Sequence, residues 1–459
     1  MKIFIIVLGF ILFVKCFFFW LWLWQLKEYH FGRFKAHFET QKWKKIISSF
    51  WRVKSPKFTK KTITILFFGI LLESLILFYV SSLKDSAFYV SLLILLLISP
   101  IISSLLILFF QIPTVMLRNR ILKKAQRKIA KFENLLVIGI TGSYGKTSTK
   151  EFLAAILSKK FKVLKTKKHI NAEIGIARAI LNELTKDYEI LIAEIGAYER
   201  GKIKQVCEML QPKIGILTGI NEQHLSTFGS LENIIEAKFE LIESLPENGL
   251  AVFNGNNRYC RELFQKTKIS KKIVYPQNYN FGFGRKNLFS WDIENLSMAT
   301  AVAEFLGVGR EKIEEALNEI KSPIKIKKGI DGLNIIDATY SANPDGVIAH
   351  LEYLKTFPGE KVIVMPCLIE LGKVSGEIHK KIGKKIGEVC DLAIITTKDR
   401  FKEIKEAAFA EATANQRKPE ILFIENPKEI FKKIESFCKS EDVVLLESRV
   451  PKEVIDLLK

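Results

Sequence analysis

The chain has 459 residues, enough for about three domains, and 48% of them are hydrophobic. Lys and Arg number 70 against 49 acidic residues, a net charge of +21, but much of this excess flanks apolar segments near the N-terminus. With no zinc-finger spacing and no aromatic-glycine RNA-binding signature, nucleic acid is not an expected partner, and six scattered cysteines without a C-x-x-C pair exclude a disulfide framework.

Three apolar runs come first, at 3–25, 62–83 and 87–112. Each is long enough to cross the roughly 30 Å hydrocarbon layer as a helix. The first ends near Trp20, Trp22 and Trp24, which suits an interfacial belt. It lacks an A-x-A-like cleavage site, so it is expected to stay on the chain. Loop 26–61 carries eleven Lys and Arg, and Arg118, Arg120, Lys123, Lys124, Arg127, Lys128 and Lys131 follow the third run. Three spans put both basic segments on one side, which the positive-inside rule makes cytoplasmic. The prediction is a multi-pass protein of the cell membrane with lipids as partners and the rest of the chain, from about residue 132, in the cytoplasm. Runs two and three either cross separately or form one hairpin, with the same sidedness. Phe31, Phe34 and Phe38 with Arg33, Lys35 and Lys42 read either as an interfacial amphipathic helix or as a solvated basic linker.

From about residue 132, short β-branched runs alternate with amphipathic helical stretches. Strands are expected at 135–140, 189–195, 213–219, 250–254 and 272–275, with helices at 146–158, 172–185, 230–244, 291–306 and 310–320. A second series runs from strand 333–338 through helix 344–356, strand 361–366, helix 375–388, strand 391–395, helix 400–410, strand 420–424, helix 427–438 and strand 442–446 to a last helix at 451–458. Such alternation predicts an α/β fold of mainly parallel sheets covered by helices. The lysine- and glycine-rich stretch 321–331 reads as a linker, which gives a membrane region at 1–131, a central domain at 132–322 and a C-terminal domain at 323–459.

Val137 to Thr149, VIGITGSYGKTST, passes from strand through glycine turn to helix. Backbone N–H groups of such a turn and the helix N-terminus hold phosphate; Lys146 reaches the β- and γ-phosphates and the Thr147 hydroxyl suits Mg²⁺. The turn is T-G-x-x-G-K-T, because Ile140 stands where the longer G-x-x-x-x-G-K-[ST] pattern has glycine. Glu194 closes an apolar strand, so it points toward the same sheet edge as a Mg²⁺ ligand, unless it is a solvated carboxylate. His224 follows another strand end, in GINEQHL. Lys238, in the helical EAKFE, reads on its own as a solvated charge. Asp337 closes the first strand of the second series and suits ribose hydroxyls. Asn343-Pro344 reads equally as a helix cap.

Taken together, these segments resemble the Mur ligase family, ATP-dependent amide-forming ligases of peptidoglycan precursor synthesis, over about residues 132–459. The chain is most similar to the UDP-N-acetylmuramoyl-tripeptide–D-alanyl-D-alanine ligase branch. The matching stretches are TGSYGKTSTK at 141–150, NAEIGIARAIL at 171–181, AEIGAYERGKI at 193–203 and NEQHLSTFGSLENIIEAKFEL at 221–241. Asn295, DATYSANPD at 337–345, IELG at 369–372, His379 and Ser448-Arg449 continue the match.

The resemblance implies a central P-loop ATPase-like sheet domain and a C-terminal Rossmann-like domain. It implies that Thr141, Gly142, Ser143, Gly145, Lys146, Thr147 and Ser148 bind ATP, with Asn295 at adenine and Asp337 at ribose. Thr147, Glu194, His224 and Lys238 are implied to hold two Mg²⁺, Lys238 as a carbamate. Lys146, His224 and Lys238 are the implied catalytic residues, and Asn171, Tyr340, Asn343 and Arg449 lie near the substrates. The implied reaction passes through an acyl phosphate and then an amide, joining D-Ala-D-Ala or a similar amine to a UDP-linked or lipid-linked muramoyl-peptide.

Two departures mark the chain. Ile324-Lys325-Ile326-Lys327 stands for the family's G-R-x-E, and Pro366-Cys367-Leu368 for its G-D-M. The membrane region takes the place of the usual uridine-binding domain. Other expectations are a related ligase for poly-γ-glutamate or a pseudomurein-type peptide, a membrane transport or signalling ATPase, and a nucleotide-binding membrane scaffold.

Overall fold

Three long helices, Lys2–Leu26, Lys60–Ser81 and Asp85–Phe109, open the chain in the computed structural model. The described residues are 2–27, 29, 34, 55–167, 170–275, 290–320, 325–339, 343–414 and 419–458. All three apolar runs are thus helical, and three helices are long and apolar enough to cross a membrane. The second begins at a capping box in which Thr59 and Thr62 satisfy each other's backbone N–H groups. Phe17, Leu21 and Trp24 of the first helix pack with Ile65, Leu66 and Ile107 of the others. Phe67, Phe78 and Leu97 face outward. Of the amphipathic segment expected around Phe31–Lys42, only Phe34 lies among the described residues; it stacks on Trp24 with ring centroids 4.1 Å apart. The basic segment after the third apolar helix is also helical, at Gln111–Ile129.

Residues Met1–Arg120 form one unit and Ile121–Lys459 another. The second unit carries two six-stranded sheets. The first is built from β1 (Leu136–Thr141), β2 (Val163–Lys165), β3 (Ile190–Glu194), β4 (Ile214–Leu217), β5 (Leu250–Asn254) and β6 (Lys271–Val274). Its order is β2-β3-β1-β4-β5-β6, with every pairing parallel. The chain leaves β1 toward β2 on one side and returns past it to β4 on the other. The C-terminal end of β1 is therefore a switch point, where parallel sheets open a crevice.

Helices cover both faces of this sheet, and the cores are aliphatic. Phe152, Leu153, Leu296, Val302 and Ile313 pack on one side, and Ile176, Ile203, Leu241 and Leu263 on the other. Gly139 of β1 lies between Ala193 and Gly215 in register. A Cβ at Gly139 would stand 2.7 Å from Leu241 Cδ1, so this strip of small residues lets helix Leu231–Glu243 lie close against the sheet.

The second sheet holds β7 (Lys325–Lys328), β8 (Asn334–Ala338), β9 (Lys361–Met365), β10 (Leu392–Ile395), β11 (Glu420–Phe423) and β12 (Val443–Glu447), in the order β11-β10-β9-β12-β8-β7. It is parallel except for β7, which runs antiparallel on the β8 edge. This corrects the reading of 321–331 as a linker, since part of that stretch is an edge strand. Among the described residues, β2 and the helices Lys202–Leu210, Leu225–Phe228 and Arg258–Lys266 also go beyond the sequence expectations.

Candidate active site

The phosphate turn is set by two glycines. Gly142 and Gly145 have φ of 154° and 76°, and Gly145 directly precedes helix Lys146–Leu157. A Cβ at Gly145 would lie 2.3 Å from Asn295 Oδ1, which accepts a hydrogen bond from Thr149 Oγ1 at 3.1 Å. Ser143 N–H donates to Gly219 O at 2.7 Å, tying the turn to the end of β4. Lys146 Nζ arches back to Gly142 O and Ser143 O, at 2.8 and 3.3 Å. Burial lowers its proton affinity, and Glu194 partly offsets that. The first-turn N–H groups of the helix supply the partial positive charge that phosphate needs.

Glu194, at the end of β3, is 1% exposed. Its Oε2 accepts from Thr147 Oγ1 at 2.9 Å and from Lys150 Nζ at 3.2 Å, and its Oε1 from Asn171 Nδ2 at 3.1 Å. The solvated-carboxylate alternative is thereby excluded. Lys150 is wholly buried beside it and was not foreseen. The signal was available, because Lys150 lies four residues after Lys146 on the same helix face.

His224 follows β4 in the left-handed region, with φ 67°. Its Nδ1 lies 2.5 Å from Glu370 Oε2, and its ring meets Tyr198 edge-on at 4.7 Å. Burial lowers its proton affinity, Glu370 pulls it back up, and the Lys238 and Lys146 charges push it down again. Glu370 has φ 67° and accepts Ser226 N–H at 3.0 Å, so the loop after β9 is anchored to this one.

Lys238 is 3% exposed, which overturns its reading as a solvated charge. Its ammonium faces the Phe228 ring at 5.9 Å, and it has no ion-pair partner among the described residues. Burial, reinforced by Lys146, pulls the amine down to about 7, so much of it is neutral at physiological pH. Among the described residues no three His, Cys, Asp or Glu side chains converge on a single point.

The second sheet supplies the opposite wall. Asn343 is the cap of helix Pro344–Leu354, its Oδ1 accepting Gly346 N–H at 2.9 Å. Asn221 Nδ2 donates to Asp345 Oδ2 at 2.9 Å and to Asn343 Oδ1 at 3.4 Å. Capping and wall-lining therefore coexist at Asn343. Arg449 follows β12, and Tyr340 lies outside the described residues. The two walls enclose a cavity of about 580 Å³. Ser143, Gly145, Lys146, Thr147, Ser148, Asn171, Glu194, His224, Asn295, Asn343 and Arg449 all line it.

Four of the expected site residues, Thr141, Gly142, Lys238 and Asp337, lie outside this lining, as does the matched His379. Thr141 is buried beneath the turn, donating to Ile195 O at 2.9 Å, and Gly142 lies beside it. Lys238 is packed in its helix. Asp337 accepts from Thr339 Oγ1 at 2.7 Å and pairs with Lys327 at 3.7 Å, while Thr339 itself reaches the cavity. His379 is held as a structural pin, its Nε2 accepting Leu368 N–H at 2.9 Å and its Nδ1 facing Ser375 O. Tyr144, Tyr198, Glu294, Asp345, His350 and Glu370 also line the cavity without having been singled out.

Comparison with known proteins fits this geometry. Residues 140–313 match the Mur ligase middle domain, and residues 324–449 the domain described as Mur ligase, glutamate ligase domain. The chain is 29% identical over 268 residues to the UDP-N-acetylmuramoyl-tripeptide–D-alanyl-D-alanine ligase of Synechocystis sp., covering 54% of this chain and 59% of the relative. It spans 59–61% of the length of this and two similar curated relatives. A crystal structure of MurF from Acinetobacter baumannii superimposes with a TM-score of 0.63 at 25% identity, covering 74% of this chain and 80% of that one. MurF ligase from Thermotoga maritima, solved in complex with ADP, gives 0.61 at 25% identity, over 74% and 83%.

Proposed function

The chain belongs to the Mur ligase family, and from that premise we propose that it is an ATP-dependent amide ligase of cell-wall precursor synthesis. It joins D-Ala-D-Ala, or a similar amine, to a muramoyl-peptide carboxylate through an acyl phosphate. The observation that carries this reading is the shared cavity, with the phosphate turn, Glu194 and His224 on one wall and Asn343 and Arg449 on the other.

In this reading Lys146 and the first-turn N–H groups hold the phosphates and stabilise the charge that spreads over the transferred phosphoryl group. Asn295, bonded to Thr149 beneath the turn, lies toward the adenine. Asp337 serves the ribose from the cavity's margin. Mg²⁺ at two positions drawn from Thr147, Glu194, His224 and Lys238 would neutralise phosphate charge. Thr147, Glu194 and Asn171 are already joined by hydrogen bonds, so oxygen ligands are pre-arranged.

Lys238 fits the carbamate role on three counts: it is buried, has no ion-pair partner among the described residues, and is held down to about 7. Its neutral amine adds CO₂ and releases one proton, giving an N-carboxylate where a buried ammonium was unfavourable. Arg449 and Asn343 receive the amine substrate, a role that the sequence match extends to Tyr340. Enclosure between the two walls keeps water from the acyl phosphate.

The three membrane-length helices hold the catalytic body at the cytoplasmic face, where a UDP-linked or lipid-linked muramoyl-peptide is within reach. Purified full-length protein given ATP, Mg²⁺, muramoyl-tripeptide in either form and D-Ala-D-Ala should release phosphate only when both acceptor and amine are present. Release that ignores the amine would reduce the protein to an ATPase. No release with either acceptor would sink the reading.

A further inference from the structure

Asn221 joins the two walls of the cavity, and the roles above give it no task. It follows β4 and is 3% exposed, so each of its polar groups needs a partner. Its backbone N–H donates to Ser143 Oγ at 3.2 Å, and its backbone carbonyl accepts that hydroxyl at 3.3 Å, which ties it to the phosphate turn. Its Oδ1 accepts Gln223 N–H at 3.0 Å, which fixes the plane of the amide. Nδ2 then donates to Asp345 Oδ2 at 2.9 Å and to Asn343 Oδ1 at 3.4 Å. One residue thus links a turn 78 positions before it to a helix 124 positions after it.

The plain reading of Asp345 is a first-turn carboxylate that favours the N-terminus of helix Pro344–Leu354. That reading does not call for a buried amide from the facing wall. Two further links lie in the same loop, His224 to Glu370 and Ser226 N–H to Glu370 O. Both reach the loop after β9, whereas Asn221 reaches the helix that Asn343 caps. Attack on an acyl phosphate needs the reacting atoms about 3–3.5 Å apart, and a misplacement of about 1 Å can cost about 10²-fold. In the ligase reading one sheet's turn holds the phosphates and the other sheet's wall holds the amine, so the bonds between them set that distance.

We propose that Asn221 is a positioning residue: its amide holds helix Pro344–Leu354 in register with the phosphate turn, so that the acyl phosphate forms within reach of the amine. This rests on the ligase reading. Asn221 bonds to Ser143 through its backbone and to Asp345 through its side chain, so a side-chain substitution separates the two tasks.

The test exchanges donor and acceptor in the full-length protein. Asn221→Asp removes the donor and sets a second carboxylate against Asp345; combining it with Asp345→Asn restores the bond in reverse. Each protein is given ATP, Mg²⁺, muramoyl-tripeptide in either form and D-Ala-D-Ala, and amide formed is counted against phosphate released. Asn221→Asp should raise the KM for D-Ala-D-Ala and cut amide per phosphate about tenfold, because a hydrogen bond to a charged group is worth about that factor and activated acceptor is lost to water. Asn221→Ala, which removes the donor without adding charge, should move the ratio in the same direction by less. ATP affinity, measured by calorimetry, should be little changed, because the backbone bonds to Ser143 remain. The double variant should recover most of the amide per phosphate. A purely structural asparagine would lower stability and both rates together and leave the ratio unmoved. An unmoved ratio in the single variants, or a double variant no better than Asn221→Asp, overturns the role of Asn221. Unaltered protein that makes no amide overturns the ligase reading instead.

Discussion

Glu194 is held by three side-chain donors and by its own strand, and one of those donors, Lys150, has no exposure at all. Removing one member of a buried pair leaves the other charge uncompensated. Lys150→Met is therefore expected to cost about 3–5 kcal/mol, read as a lower urea midpoint, and to weaken nucleotide binding through the displaced carboxylate. Lys238 makes a prediction with a definite sign. Its amine sits at about 7 in the folded chain, well below its ordinary unfolded value. The unfolded chain thus binds more protons between these values, and the stability of CO₂-free protein rises with pH across that window. Lys238→Met should stabilise CO₂-free protein most at and below pH 7, and the gain should shrink as thermal melts are run toward pH 9. A gain that does not vary with pH would show that the lysine is not buried as an unpaired charge. At this scale the sequence showed Lys146, Thr147, Glu194 and His224 by their places at strand ends. It could not show Asn221 with Asp345, because nothing local links a loop residue to one 124 positions later.

The phosphate turn is where local pattern and tertiary structure agree most closely. Its glycines were legible because the chain must turn there with positive φ, and the structure adds that Asn295 leaves no space for a Cβ at Gly145. Gly145→Ala should cost about 1–2 kcal/mol for the left-handed backbone alone. Carried into binding, that is about a tenfold weaker affinity for ATP, measurable by calorimetry. Elements missed in the sequence were short or polar. β2 has three residues, and β7 reads Lys-Ile-Lys-Lys, the lysine-rich character that protects a sheet edge and also makes it look like a linker. Helix Lys202–Leu210 has nine residues but does place Ile203, Val206, Cys207 and Leu210 on one buried face, so a periodicity count would have found it.

For the molecule as a whole, apolar length made the three membrane-length helices legible and alternation made the two sheets legible. The cavity between the sheets was not, because sequence pattern orders elements along the chain but does not say which sheet edges meet. If the helices cross a membrane, the charge distribution predicts Lys84, between the second and third apolar helices, outside and Lys123 inside. In intact cells an impermeant maleimide should label Lys84→Cys but reach Lys123→Cys only after permeabilisation; the reverse pattern would invert the topology. The central claim is that this chain activates a carboxylate as an acyl phosphate. It is tested most directly by labelling the acceptor carboxylate with ¹⁸O and analysing the phosphate released when ATP and amine are added. The account predicts one ¹⁸O atom transferred to each phosphate formed. Unlabelled phosphate would mean hydrolysis of ATP by water, and label in AMP would mean adenylation; either contradicts it.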